Sequence, residues 1–143
     1  MTGSAIAVRK FYASLGCGDM SAALALLDAD VEWQEAERSP YYSGTVRGVT
    51  AVVTTVFEPI NRDFEDFTCT SSDFLTDADR TIALGLYTGR AKSGGGKPCA
   101  PFVHVWTVRD GMIVGFIQYT DSAAWAEAAS GSGLRAGAKP AFF

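Results

Sequence analysis

Residues 101–121 read PFVHVWTVRDGMIVGFIQYTD, two apolar runs on either side of Asp110-Gly111. An Asp-Gly pair between such runs is the strongest short-range hairpin signal, because both turn residues tolerate positive φ. The segment also holds the only histidine of the chain, His104, and it closes on an acid, Asp121. Its reading therefore bears on fold and chemistry together.

Upstream of this hairpin the pattern continues. Thr81 to Lys92 reads as a long strand, with Ser93-Gly94-Gly95-Gly96 as the turn that follows it. Phe67 to Leu75 reads as another, ended by the turn Thr76-Asp77-Ala78-Asp79. Four consecutive antiparallel strands result. The N-terminal part is helical. Val8, Phe11, Tyr12 and Leu15 fall at i, i+3, i+4 and i+7, which predicts a helix over Ser4–Leu15, stopped by Gly16 and Gly18. Asp19 suits the N-cap of a second short helix carrying Ala23, Leu24 and Leu27. Val31 to Glu35 alternates as a short strand, and residues 36–47, with Pro40, Tyr41, Tyr42 and Gly44, read as a loop. A third helix starts at Val49 and carries Val52, Val53, Val56, Phe57 and Ile60, with a kink or early end expected at Pro59. Beyond the hairpin, Asp121-Ser122 opens a last helix holding Ala124, Trp125 and Ala128. The small residues from Gly131 to Lys139 read as a flexible tail, giving a single domain over 1–130 and a tail over 131–143.

Helices set to one side of an antiparallel sheet define an α+β domain. A long curved sheet wrapped around N-terminal helices makes a cone with an apolar pocket at its open end, a default ligand site.

Composition narrows the functions. Of 143 residues, 48% are hydrophobic and 20% charged, as in a soluble globular chain rather than a disordered one. The net charge of −4 offers no basic face for nucleic acid. No stretch approaches the ~18 apolar residues of a membrane span. Cys17, Cys69 and Cys99 form no CxxC or Cys/His metal spacing. Three cysteines without a signal-peptide pattern in MTGSAIAVRK point to reduced thiols in a cytoplasm. Neither a metal nor a cofactor is expected.

The element order, with FYASLGCGD (11–19), VEWQE (31–35), YSGTVRG (42–48) and HVWTVRDGMIVGFIQYTD (104–121), resembles the nuclear transport factor two-like superfamily. Within it the chain is most similar to the SnoaL-like, ketosteroid-isomerase-related group, over roughly residues 5–129. The resemblance implies a cystatin-like cone, a homodimer and a small hydrophobic ligand. It does not choose a chemistry, because the same cone hosts isomerases, dehydratases, polyketide cyclases, epoxide hydrolases and non-catalytic binding modules.

The resemblance can be carried over residue by residue. The isomerase general base, a carboxylate at the end of the first strand, falls on Glu35, with Trp33 on the same face two residues earlier. The isomerase oxyanion hole uses a tyrosine on the first helix and a protonated aspartic acid on the fourth strand. Phe11 and Val103 stand in those positions, and neither can donate a hydrogen bond. By this match the Val103 face is inward, and His104 and Trp106 turn outward, where relatives pair their sheets. The epoxide hydrolase Asp-Arg-Asp set falls near Leu86, Thr88 and Gln118. The final-strand carboxylate of the cyclases also falls on Gln118, or on Asp121 if the register slips.

Each candidate has two readings. Glu35 beside Trp33 is a desolvated acid suited to proton transfer, or an exposed member of the acidic run Glu32, Glu35, Glu37. His104, with an ordinary pKa near neutrality, is an acid/base group or a hydrogen-bonded structural residue. Gln118 shares a face with Phe116 and is a neutral donor in place of an acid. Asp121 is an acid at the pocket mouth, or the N-cap of the last helix. Trp33, Tyr42, Phe57, Tyr87, Val103 and Phe116 are the expected pocket walls. Two functions follow. One is a cofactor-free enzyme in which Glu35 takes a proton α to a carbonyl of a hydrophobic ligand, for isomerisation, cyclisation or dehydration, with Gln118, Tyr42 or His104 steadying the enolate. The other is a non-catalytic small-molecule-binding homodimer.

Overall fold

The computed structural model describes residues 3–94 and 99–130. Its elements run α1 (Gly3–Gly16), α2 (Met20–Leu24), β1 (Leu27–Gln34), β2 (Thr45–Arg47) and α3 (Val49–Val52). A π turn (Val53–Phe57) leads into α4 (Glu58–Asp63). Then come β3 (Phe64–Asp77), β4 (Arg80–Ala91), β5 (Cys99–Arg109), β6 (Met112–Thr120) and α5 (Ser122–Ser130). The expected C-terminal tail and part of the glycine turn after β4 lie outside the described residues.

The Asp110-Gly111 hairpin forms as read. Both residues adopt positive φ, 52° and 77°, which two-residue turns need to match the twist of their strands. It joins β5 and β6 in register, with His104 opposite Gln118 and Trp106 opposite Phe116. The six strands make one curved open sheet in the order β2-β1-β6-β5-β4-β3. All neighbours are antiparallel except β1 and β6, which run parallel with Trp33 beside Phe116. That pairing brings together residues far apart in the chain.

Helix α1 lies on the concave side against β3, β4, β5 and β6. Its stripe of Val8, Phe11 and Tyr12 is buried, as its spacing predicts. Facing it are Phe102, His104 and Trp106 of β5, all buried. Burying side chains of this size is worth about 1.5–3 kcal/mol each before entropy is counted. Gly85 on β4 makes room for this layer. A Cβ there would come within 2.2 Å of Phe102 and 2.3 Å of the Thr70 carbonyl.

Three local expectations are corrected. Residues 36–47 are not all loop, because Thr45–Arg47 pairs with Glu32, Trp33 and Gln34 as β2. Leu27 belongs to β1 rather than to the second helix, although Asp19 does cap that helix by accepting from the Ala22 N–H at 3.0 Å. The third helix does not end at Pro59 but is interrupted before it, α3 giving way to the π turn after Val52. The turn before Pro59 widens, with the Glu58 N–H donating to the Val53 carbonyl five residues back. Pro59 then falls in the first turn of α4, where a missing N–H costs nothing.

Candidate functional site

Glu35 is the first residue beyond β1, and the alternation of the strand sets it on the same side as Trp33. It is only 5% exposed. Trp33 Nε1 donates to Glu35 Oε2 at 2.8 Å. Gln118 Nε2 donates to Glu35 Oε1 at 2.6 Å. Among the described residues no ion pair involves Glu35. Burial pushes its carboxyl up from 4.5 to about 7, against the opposing pull of the Trp33 and Gln118 hydrogen bonds. At neutral pH this side chain is therefore poised between acid and carboxylate.

Behind Gln118 a buried polar chain continues. Gln118 Oε1 accepts from the Tyr87 hydroxyl and lies 2.9 Å from His104 Nε2. Tyr87 Oη is 2.6 Å from the same His104 nitrogen. On the other side of the ring, His104 Nδ1 is 2.5 Å from Tyr12 Oη, and Trp106 Nε1 donates to Tyr12 Oη at 2.9 Å. Burial lowers His104 from 6.5 to about 3, although its Gln118 contact pulls the other way, so the imidazole is neutral at pH 7. Burial raises the phenols of Tyr12 and Tyr87 and the Cys69 thiol well above their ordinary values. Among the described residues, no buried side-chain nitrogen or oxygen lacks a partner.

A cavity of about 660 Å³ opens against this network. Phe11, Tyr12 and Leu15 of α1 form one wall, and Val56 and Phe57 of the π turn a second. Phe64, Phe67 and Cys69 of β3 face Trp33, Glu35, Tyr87, His104, Trp106 and Phe116 across it. The lining is mainly aromatic and apolar, with Glu35 as its buried acid and the exposed Asn61, Glu65, Asp66 and Lys92 also on it. Trp33 stacks on Phe116 at 3.9 Å between ring centroids, which holds the indole N–H against Glu35.

The structure thus brings Glu35, His104 and Gln118 together, with Trp33, Phe57, Tyr87 and Phe116 at the cavity. It corrects the direction of β5 and the place of Tyr42, and it decides between the two readings of Asp121 and of His104. His104 and Trp106 point inward rather than outward, and Val103 lies on the other face of β5, away from the cavity. Both faces of that strand are apolar, so alternation gave no direction. Tyr42 is 39% exposed and is not a cavity wall. Asp121 Oδ1 accepts from the Ala124 N–H at 3.1 Å and so caps α5. His104 has no free donor for an enolate, because both ring nitrogens are taken up within the network, and Gln118, which gives one amide N–H to Glu35, is not among the residues lining the cavity. The residue missed was Tyr12. Its signal was its place on the buried stripe of α1 one step beyond Phe11, but the match to an isomerase tyrosine had been laid on Phe11. Among the described residues no three His, Cys, Asp or Glu side chains gather as a metal site would require, and no helix is long and apolar enough to cross a membrane.

A family model described as a SnoaL-like domain matches residues 8–116. An NTF2-like protein of Burkholderia thailandensis has 29% identity and a TM-score of 0.83, over 90% of this chain and 98% of that one. The protein TerC, crystallised with polyporic acid, has 22% identity and a TM-score of 0.78, over 90% of this chain and 99% of that one. A candidate polyketide cyclase of Pseudomonas putida has 22% identity and a TM-score of 0.76, over 90% of this chain and 98% of that one. The last two likenesses bear on the fold alone. No curated protein matches the chain.

Proposed function

The chain belongs to the SnoaL-like domain family, and from that premise we propose that it binds a hydrophobic, carbonyl-bearing small molecule and moves a proton on it through Glu35. The observation that carries this reading is the Glu35 carboxyl itself. It is buried in an aromatic cavity, held by two N–H donors and raised to about 7. A base of that strength near neutral pH is suited to taking a proton from carbon next to a carbonyl and returning it elsewhere on the same molecule. Such a transfer needs no cofactor. Isomerisation, cyclisation or dehydration would each begin with this step. Tyr12 and Tyr87 are the phenols at the cavity wall, and one of them would have to leave its present partner to steady the enolate.

A second reading is favoured by one feature: the polar atoms of Tyr12, Tyr87 and His104 are already engaged with one another and with Gln118. On that reading the protein binds its ligand without chemistry. In either case the proposal includes a homodimer through the outer face of the sheet, where Val103 and Val105 lie beside the exposed Ile117 and Tyr119. The two readings separate on substitution. Turnover of cyclic ketones should fall about a hundredfold or more in Glu35→Gln, whereas Trp33→Ala should weaken binding on either reading. Equal turnover in wild type and Glu35→Gln would remove Glu35 as the base. Ligand binding without turnover across a panel of polyketide and steroid ketones would leave the binding module.

A further inference from the structure

The polar chain behind Glu35 has a direction that can be worked out from its donors and acceptors. Trp106 can only donate, and it donates to Tyr12 Oη. The Tyr12 proton is then directed to His104 Nδ1, 2.5 Å away. A neutral imidazole carries one N–H, so a ring that accepts at Nδ1 holds its proton on Nε2. That N–H faces Gln118 Oε1 at 2.9 Å and Tyr87 Oη at 2.6 Å. The Tyr87 hydroxyl donates to the same amide oxygen. Two donors converging on one carbonyl match its two lone pairs. The opposite end of the amide is left to donate to Glu35 Oε1.

The opposite arrangements fail. A proton on Nδ1 would set the Nε2 lone pair against Gln118 Oε1 at 2.9 Å and displace the Tyr12 proton from its acceptor. An amide flipped together with the ring would give Nε2 a donor, but Trp106 and the Nδ1–H would then both point at Tyr12 Oη and leave the Tyr12 proton without an acceptor.

We propose that His104 and Gln118 are positioning residues: Tyr12 and Trp106 hold His104 as its neutral Nε2–H tautomer, and that tautomer fixes the Gln118 amide with its N–H toward Glu35. The inference deepens the proposed role of Glu35, but the hydrogen-bond direction exists whether or not chemistry follows. Its functional consequence is a one-way chain. Both neighbours of the carboxyl, Gln118 and Trp33, present donors to it. Neither can take its proton, so Glu35 exchanges protons with whatever occupies the cavity. The titratable groups facing the chain are Tyr12 on α1, Tyr41 before β2, Cys69 on β3, Tyr87 on β4 and Glu35 after β1. Of these only Glu35 changes charge near neutrality.

Because His104 is the only histidine, nitrogen-15 labelling of histidine in the full chain gives a single ring to observe. The expected spectrum shows a protonated Nε2 and an unprotonated Nδ1, unchanged between about pH 5 and 8. A proton on Nδ1, or an imidazolium in that range, overturns the proposal. The positioning role has its own readout. With carbon-13-labelled glutamate, and Glu35→Gln to assign the signal, Gln118→Leu should raise the Glu35 midpoint by about one pH unit or more, since it removes a hydrogen bond to the charged form. An unmoved midpoint overturns that role. Should Gln118→Leu fail to fold, Gln118→Met, which keeps the length of the side chain, provides the test: it too removes the N–H to Glu35 and should raise the Glu35 midpoint, and an unmoved midpoint overturns the positioning role. None of these measurements reads turnover, so failure here is distinguishable from failure of Glu35 as a base.

Discussion

At Glu35 the chemistry of the site and the stability of the fold are linked. Its folded value of about 7 lies above the ordinary 4.5, so the folded protein holds the proton more tightly than the unfolded chain does. The stability this contributes is full below pH 4.5 and is lost as pH rises toward 7. Glu35→Gln carries no such dependence. It has one acceptor where the carboxyl has two, so one of the Trp33 and Gln118 donors loses its partner, at a pH-independent cost of about 1–3 kcal/mol. Urea unfolding of both proteins across pH should therefore show the variant gaining about 3 kcal/mol relative to wild type between pH 4.5 and 7, then a constant difference. A difference that stays level through that window would mean the carboxyl is not raised. His104 has the opposite sign. Its folded value of about 3 lies below 6.5, so its contribution is lost as pH falls below 6.5. It is common to both proteins and drops out of the comparison. At this scale Glu35 beside Trp33 was legible in VEWQE, because a period of two puts them on one face. The inward turn of His104 was not. Val103, Val105 and Thr107 are apolar or nearly so, as are Phe102 and Trp106, and such a strand does not announce its buried side.

Among the elements, β4 and β5 carry Tyr87, His104 and Trp106, and Gly85 is where Phe102 closes against β4. Phe102 lies opposite Gly85 and stacks under the His104 ring, 3.9 Å between centroids at 14°. An added methyl at Gly85 would meet both Phe102 and the backbone oxygen of Thr70, and a backbone atom cannot rotate away. Gly85→Ala should cost roughly 1–3 kcal/mol, read as a lower melting temperature, and it should disturb the His104 ring through Phe102. An unchanged melting temperature would show that the two strands part without penalty. The hairpin joining β5 to β6 was legible from two residues, Asp110 and Gly111, because its physics is local. Other elements were harder. The π turn before Pro59 depends on where a missing N–H can be tolerated. β2 is three residues long and exists only because β1 offers an edge.

The whole molecule encloses its cavity by a contact that crosses most of the chain. Parallel pairing of β1 with β6 sets Trp33 beside Phe116 and carries Glu35 to Gln118. No local pattern specifies that meeting. The order of elements, which marks the α+β class, leaves it implicit, and the resemblance to the SnoaL-like group supplied the cone but placed two inward residues one step off. The fold hosts many chemistries, so the claim that matters is whether Glu35 takes a proton from carbon inside the cavity. That can be measured without knowing the product. The protein is incubated with hydrophobic cyclic ketones in heavy water near pH 7, and deuterium incorporation α to the carbonyl is followed by proton NMR. Incorporation should be catalysed by the wild type and lost in Glu35→Gln. Equal incorporation in both proteins, or wild-type incorporation no faster than buffer with a ketone shown to bind, would contradict the claim.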